Sequence, residues 1–185
     1  MGVLRYRTPS GERKFWTFKE IVQGKSMRRV THPFFVVFPI ACGSGALVLD
    51  ILSRLGLEGA GLAATYAMLG AVIGAVFAIG TGLVDRSLMR PGSKIRTVAT
   101  RHMYIQLLAT LLFVLDAAVR WGDRHTPKAE PLWLVLDVLA VAVVILGGDV
   151  GASMVFRMGY RVHDTADPAA GGQAVAMSPP AASDG

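Results

Sequence analysis

Two histidines and five aspartates stand within or at the edges of otherwise apolar stretches of this chain. His32 and His102 open two of the stretches, Asp50, Asp116, Asp137 and Asp149 lie inside them, and Asp85 closes another. Imidazole titrates near neutral pH, binds transition metals and haem iron, and hydrogen-bonds polar cofactors. A carboxylate beside it can take a proton or hold the ring in place. Ionisable groups are expensive to keep inside a bilayer, so each of these is a functional-site candidate.

Helical spacing puts His102, Gln106, Ala109, Phe113, Asp116 and Arg120 on one stripe, and His32, Pro39, Gly43, Ala46 and Asp50 on another. By depth the ionisable groups fall into two layers. His32, Asp85, His102 and Asp149 form the inner one, the candidate cofactor-binding set. The two histidines, on non-adjacent stretches at similar depth, could coordinate haem b or a metal ion, or hydrogen-bond a quinone. Asp85 and Asp149 would then support the rings or accept protons. The same residues are also accounted for if the histidines cap their helices and pair with Asp85 or Asp149. Pro33 suits a first helical position and puts His32 at a helix mouth. The outer layer holds Asp50, Arg54, Asp116, Arg120 and Asp137. Each arginine follows an acid by one helical turn, so this layer reads as a structural polar network built on Asp50–Arg54 and Asp116–Arg120.

The elements that must position these groups are four apolar stretches, 34–52, 61–84, 103–119 and 132–156. At about 1.5 Å per residue they reach roughly 25 to 37 Å, against a hydrocarbon core of about 30 Å. Only 17% of the 185 residues are charged and 52% are apolar, which is too little charge for a typical soluble domain. The stretch 61–84 is apolar or small on every face, which excludes a surface helix of a soluble bundle. The expected fold is all-α, a four-transmembrane-helix bundle over 32–163. Residues 1–31 are a basic leader, and 164–185, rich in Ala, Gly, Pro and Ser, read as a disordered tail. Phe15, Phe18 and Val22 share a helical face, so the leader reads as a short interfacial helix or as a basic arm. Each half of the chain has the shape histidine, span, outer loop, span, acid.

Lysine and arginine sort by side. Eight in residues 1–31, five in 86–101, and Arg157 and Arg161 face one way; Arg54, Arg120, Arg124 and Lys128 face the other. The positive-inside rule then puts both termini in the cytoplasm. The net charge of +6 points to a bilayer with anionic head groups as partner, and not to nucleic acid. Trp121 and Trp133 flank the outer loop, where aromatic residues anchor helices. Gly70-x-x-x-Gly74, Gly147-x-x-x-Gly151 and Ala41-x-x-x-Gly45 permit close helix approach, within one bundle or in a homodimer or larger membrane complex. His125 and His163 fall in polar segments and read as solvated. No G-x-S-x-G, phosphate loop, H-E-x-x-H or C-x-x-C occurs, so nothing supports an ordinary hydrolase, and whether the chain is an enzyme stays open, with a non-enzyme the favoured reading.

His32-Pro33 opening a span, Pro39 and Asp50 within it, Thr81-Gly82-Leu83-x-Asp85, Arg101-His102, Arg120, and Gly148-x-x-Gly151 followed by Gly159-x-x-Val162 together resemble a bacterial family of predicted membrane proteins, domain of unknown function 2231. The resemblance covers about residues 28–163. It implies four membrane helices in a bacterial inner membrane and fixes no activity. Some family members resemble fusions to Rieske iron–sulfur domains, which implies electron transfer near quinones. This chain has Gln106 after the third-span histidine, where family members often carry asparagine. Two function classes stay open. One is a small redox-associated membrane module with a His/Asp site at the cytoplasmic face. The other is a non-catalytic subunit or scaffold whose polar layers only stabilise packing. Proton-coupled transport by an oligomer is a third, weaker option.

Overall fold

A computed structural model describes residues 2–7, 13–22, 24 and 31–160. The expected tail, 164–185, lies outside the described residues. The leader differs from expectation. Gly2–Arg7 (β1) and Arg13–Thr17 (β2) form an antiparallel hairpin with Leu4 opposite Trp16 and Tyr6 opposite Lys14. Phe15, expected on a helix with Phe18 and Val22, stands in β2, and only Phe18–Val22 (α1) is helical. The run Phe15-Trp16-Thr17 is aromatic and β-branched, which favours strand over helix. The change to helix is made by a reciprocal cap. The Thr17 amide donates to Glu20 Oε2 at 3.0 Å, and the Glu20 amide donates to Thr17 Oγ1 at 3.3 Å. The Thr31 hydroxyl donates to the Val22 carbonyl, which ties this unit to the first long helix.

The four spans are Thr31–Arg54 (α2), Ala60–Ser87 (α3), Lys94–Trp121 (α4) and Pro131–Phe156 (α5). Each is long and apolar enough to cross a membrane. α4 starts at Lys94, well before the apolar run, because Ser93 caps it by accepting the Arg96 amide at 3.4 Å. The expected Pro91-Gly92 turn precedes it, with Gly92 at φ +77°, a conformation glycine adopts without steric penalty.

The helices form a closed square. α2 packs on α3, α3 on α4, α4 on α5, and α5 returns to α2, so α2 and α4 stand on a diagonal. Val37, Ile73, Phe77, Leu111, Ile145 and Leu146 point outward and are exposed, an apolar belt suited to lipid. Lipid gives helices no hydrophobic reason to associate, so close backbone approach must do it. The core is accordingly small: Ala46, Ala71, Ala109 and Ala140 around Met68 and Phe113. A Cβ at Gly74 would lie 2.6 Å from Phe38 Cβ, so α2 and α3 pack this tightly only because position 74 is glycine. Ala41-x-x-x-Gly45 behaves differently. Ala41 is exposed and nothing lies within 4 Å of a Cβ at Gly45, so this motif joins no helices within the bundle.

The hairpins α2–α3 and α4–α5 repeat one pattern. Buried Pro39, Gly43, Ala46 and Asp50 correspond to buried Ala109, Phe113, Asp116 and Arg120 at an offset of 70 (39 to 109, 50 to 120). Buried Ala64, Met68, Ala71, Ala75 and Ala78 correspond to Trp133, Asp137, Ala140, Val144 and Gly147 at an offset of 69 (64 to 133). Corresponding residues meet across the diagonal, Gly43 against Phe113 and Asp50 against Arg120. The two hairpins are thus related by an approximate two-fold axis along the bundle.

Candidate functional site

At the end where α2 and α4 begin, all four helices surround a cavity of about 490 Å³. His32 and His102 line it, with ring centres 6.4 Å apart and ring planes at 88°. Asp85, buried near the end of α3, and Gln106 share the wall, and Phe113 lies toward the bundle middle. Small residues make the space, among them Ala75, Ala78, Ala99 and Ala109. An apolar wall with a few convergent polar groups, at this size, is the form of a small-molecule site.

Each ring is held by its Nδ1. His102 Nδ1 lies 2.7 Å from the Gly147 carbonyl oxygen. A carbonyl only accepts, so Nδ1 carries the proton and the neutral ring has its lone pair on Nε2. His32 Nδ1 lies 3.1 Å from Thr81 Oγ1. The Thr81 hydroxyl also lies within reach of the Phe77 carbonyl (3.0 Å) and the Ala78 carbonyl (3.1 Å). Either the ring or the hydroxyl donates in the His32–Thr81 contact, according to the imidazole tautomer. Glycine lets both rings seat against the neighbouring helix. A Cβ at Gly82 would stand 2.9 Å from His32 Cε1, and one at Gly151 would stand 2.9 Å from His102 Cε1. Gly82 and Gly151 correspond under the same offset of 69 (82 to 151).

The opposite end is filled. Arg120 Nη2 donates to Asp116 Oδ2 at 2.6 Å, to Asp50 Oδ2 at 2.9 Å and to Asp137 Oδ2 at 3.4 Å, and all four side chains are 0% exposed. The Trp133 ring covers the guanidinium at 5.1 Å, a cation–π contact in a desolvated setting. The Ser53 hydroxyl donates to the Asp50 carbonyl at 2.7 Å and accepts the Ala129 amide at 2.9 Å, tying α2 to the loop before α5. One guanidinium thus links α2, α4 and α5. Buried charges of this kind hold a fold only while each keeps its partners.

Of the inner set, His32, Asp85 and His102 share the cavity wall, and Asp149 does not. Asp149 is exposed on the outer surface of α5, in a shallow depression with Ser153 and Arg157. It lies roughly 120° around the helix from Asp137, and Asp137 takes the inward face. Of the outer set, Asp50, Asp116, Arg120 and Asp137 join in one cluster, and Arg54 stays outside it, exposed. As the last residue of α2, Arg54 reaches solvent, which is cheaper than burying a second cation. Asp50 pairs across the diagonal with Arg120 instead. Trp133, expected at an interface, is 2% exposed because it packs on Arg120; Trp121 is exposed, with Arg124 stacked on it at 4.7 Å. His125 is exposed and His163 lies outside the described residues. Thr81, Gly82 and Ser53 had no assigned role in the sequence reading; the offset between halves, which pairs Gly82 with Gly151, is the signal that would have marked one of them. Among the described residues, no three His, Cys, Asp or Glu side chains converge as ligands of a metal ion.

The histidine wall, the buried arginine cluster and all four spans fall inside one homology match. A family described as "Predicted membrane protein (DUF2231)" matches residues 29–164. No curated protein and no solved structure matches the chain. With four membrane-capable helices and three quarters of its length inside that match, the chain belongs to the DUF2231 family of membrane proteins.

Proposed function

We propose that this protein is a small redox-associated membrane module whose internal cavity seats a redox-active cofactor against His32 and His102. One observation carries the reading. Two histidines from diagonal helices line a 490 Å³ apolar cavity, and each ring is fixed by a hydrogen bond to a neighbouring helix, the way ligating or cofactor-binding histidines are oriented. Asp85 in the same wall can serve as a proton acceptor beside the cofactor. The lysine and arginine distribution supports both termini, and with them the cavity, at the cytoplasmic face of a bacterial inner membrane.

The test is the content of protein purified in mild detergent. Extraction should yield one redox-active small molecule per chain, and His32→Ala and His102→Ala should each lower its occupancy. A colourless protein free of quinone and iron, whose histidine variants lose only stability, would leave the scaffold reading in its place. Orientation has its own check. A reporter fused after Gly185 should behave as cytoplasmic; a periplasmic signal overturns the charge argument.

A further inference from the structure

We infer that the redox cofactor of this cavity is a quinone drawn from the bilayer, its ring held on α4 by His102 and Gln106 and its apolar chain leaving between α2 and α5. This rests on the redox-module reading and narrows it to one chemical class.

The histidines and their glycines follow the repeat, and the side walls of the cavity do not. At the offset of 70, Val36 and Ile40 of α2 correspond to Gln106 and Thr110 of α4 (36 to 106, 40 to 110), and all four line the cavity. The wall on α4 is therefore polar where the wall on α2 is apolar. His102 and Gln106 are one turn apart on one helix face, so both can address a single flat ring. The Thr110 hydroxyl donates to the Gln106 backbone carbonyl at 2.8 Å, and no hydrogen bond to protein holds the Gln106 side-chain amide among the described residues. An amide in an apolar wall is costly without a partner. It can donate to a carbonyl and accept from a hydroxyl, so it suits a quinone and its quinol alike. His102 has Nδ1–H committed to the Gly147 carbonyl at 2.7 Å. In the neutral ring Nε2 is then an acceptor, matched to a quinol hydroxyl.

The second departure opens a seam. At the offset of 69, Ile79 and Leu83 of α3 correspond to Gly148 and Ala152 of α5 (79 to 148, 83 to 152), and all four line the cavity. Gly74, which meets Phe38 within its own hairpin, corresponds to Val143 (74 to 143), so Val143 marks the side of α5 toward α4. Gly148 and Ala152 fall on the other side, toward α2. Branched side chains thus occupy the seam between α3 and α4, and small ones leave the seam between α5 and α2. A Cβ at Gly148 would meet nothing within 4 Å. Ile40 and Ala152 line the cavity and are also exposed, so the cavity opens there to the apolar belt. Ile40 lies eight residues past His32, roughly 12 Å deeper along the helix. A ligand that passes this seam comes from lipid and carries an apolar chain.

The experiment uses the full chain in mild detergent, titrated by calorimetry with a benzoquinone carrying a decyl chain, with its quinol, and with the ring lacking the chain. One decyl compound per chain should bind, and the chain-free ring should bind at least about tenfold more weakly. Gln106→Leu should weaken quinone and quinol each by about tenfold, the loss of one hydrogen bond. His102→Phe should weaken the quinol by a similar factor and the quinone little. Gly148→Leu fills open space without a clash, so it should fold and should weaken the decyl compounds, whereas partition into the micelle would not respond to it. Size exclusion checks folding, and if His102→Phe fails to accumulate the other two variants carry the test. Binding unchanged in both Gln106→Leu and Gly148→Leu overturns the inference. A haem or another redox-active molecule recovered from a protein that binds no quinone also overturns it and leaves the redox-module reading intact. A protein that binds no quinone and yields no redox-active molecule removes both.

Discussion

The two ends of the bundle are drawn from one repeat and come out differently. At the end that holds the histidines, corresponding positions carry the same residue: His32 matches His102 and Gly82 matches Gly151. At the other end they carry opposites: Asp50 matches Arg120. Two matched imidazole rings, with centres 6.4 Å apart, carry no opposite charges to pair across an axis. A carboxylate and a guanidinium do, and they meet at 2.9 Å with no exposure. The flanking positions follow suit. Ala75 and Ala78 line the space beside the histidines, whereas Trp133 covers the guanidinium at the arginine end. Where the repeat keeps its symmetry the bundle is hollow, and where it breaks its symmetry an ion cluster joins the helices. That difference leaves a cavity at one end and a buried ion cluster at the other.

The largest effect should come from the filled end. Arg120→Leu leaves Asp50, Asp116 and Asp137 buried without their common cation. Breaking a buried ion pair by removing one partner costs about 3 to 5 kcal/mol, which is enough to prevent accumulation of folded protein. Adding Asp50→Asn, Asp116→Asn and Asp137→Asn to Arg120→Leu should restore most of the yield, since neutral amides need no cation. The readout is the monodisperse fraction in detergent and the thermal midpoint. An Arg120→Leu protein that melts with the wild type would show that the cluster does not hold the bundle, and the contrast between ends would fail.

The next effect tests the repeat itself. Gly82→Val and Gly151→Val each push a side chain into a histidine ring, with the first carbon 2.9 Å from Cε1 in both cases. Overpacking of this kind costs about 1 to 3 kcal/mol. The two variants should lose similar amounts of thermal stability, while Gly45→Val, which meets nothing within 4 Å, should lose little. A large loss at one glycine and none at its counterpart would break the two-fold relation at the hollow end.

The spans were legible because apolar length is a local property, and the stripes were legible because helical spacing is. Thus Pro39, Gly43, Ala46 and Asp50 of α2 and Ala109, Phe113, Asp116 and Arg120 of α4 are buried as their spacing requires. Partner choice was not legible. Asp50 has an arginine one turn away in sequence and takes one from another helix, because the local candidate sits at a helix end where water competes for it. Asp149 and Trp133 fail for a related reason. Periodicity gives a residue's angle on its own helix, and only packing decides which angle faces inward. The hairpin of the leader was missed because the apolar residues Phe15, Phe18 and Val22 fit a helical face while the backbone turns from strand to helix at Thr17 between them.

A smaller effect is expected at Ser53. Its hydroxyl bridges the Asp50 carbonyl and the Ala129 amide, all buried. Ser53→Ala removes two hydrogen bonds and strands an amide, for about 1 to 2 kcal/mol. Its thermal midpoint should fall below the wild type and stay above Arg120→Leu. A Ser53→Ala protein as unstable as Arg120→Leu would place the weight of the filled end on the loop clamp and not on the charges.

The smallest effect separates pairing by sequence from pairing in space. Arg54 and Arg120 both follow an acid by four residues, and only Arg120 is buried against one. Arg54→Ala removes an exposed side chain, and exposed substitutions usually change stability by no more than about 0.5 kcal/mol. Its thermal midpoint should match the wild type at low and at high salt, since no ion pair near the surface is being screened. A marked loss that shrinks at high salt would mean that Arg54 does hold Asp50 in solution. The arginine end would then contain two cations and could no longer be set against the histidine end as a site completed by one.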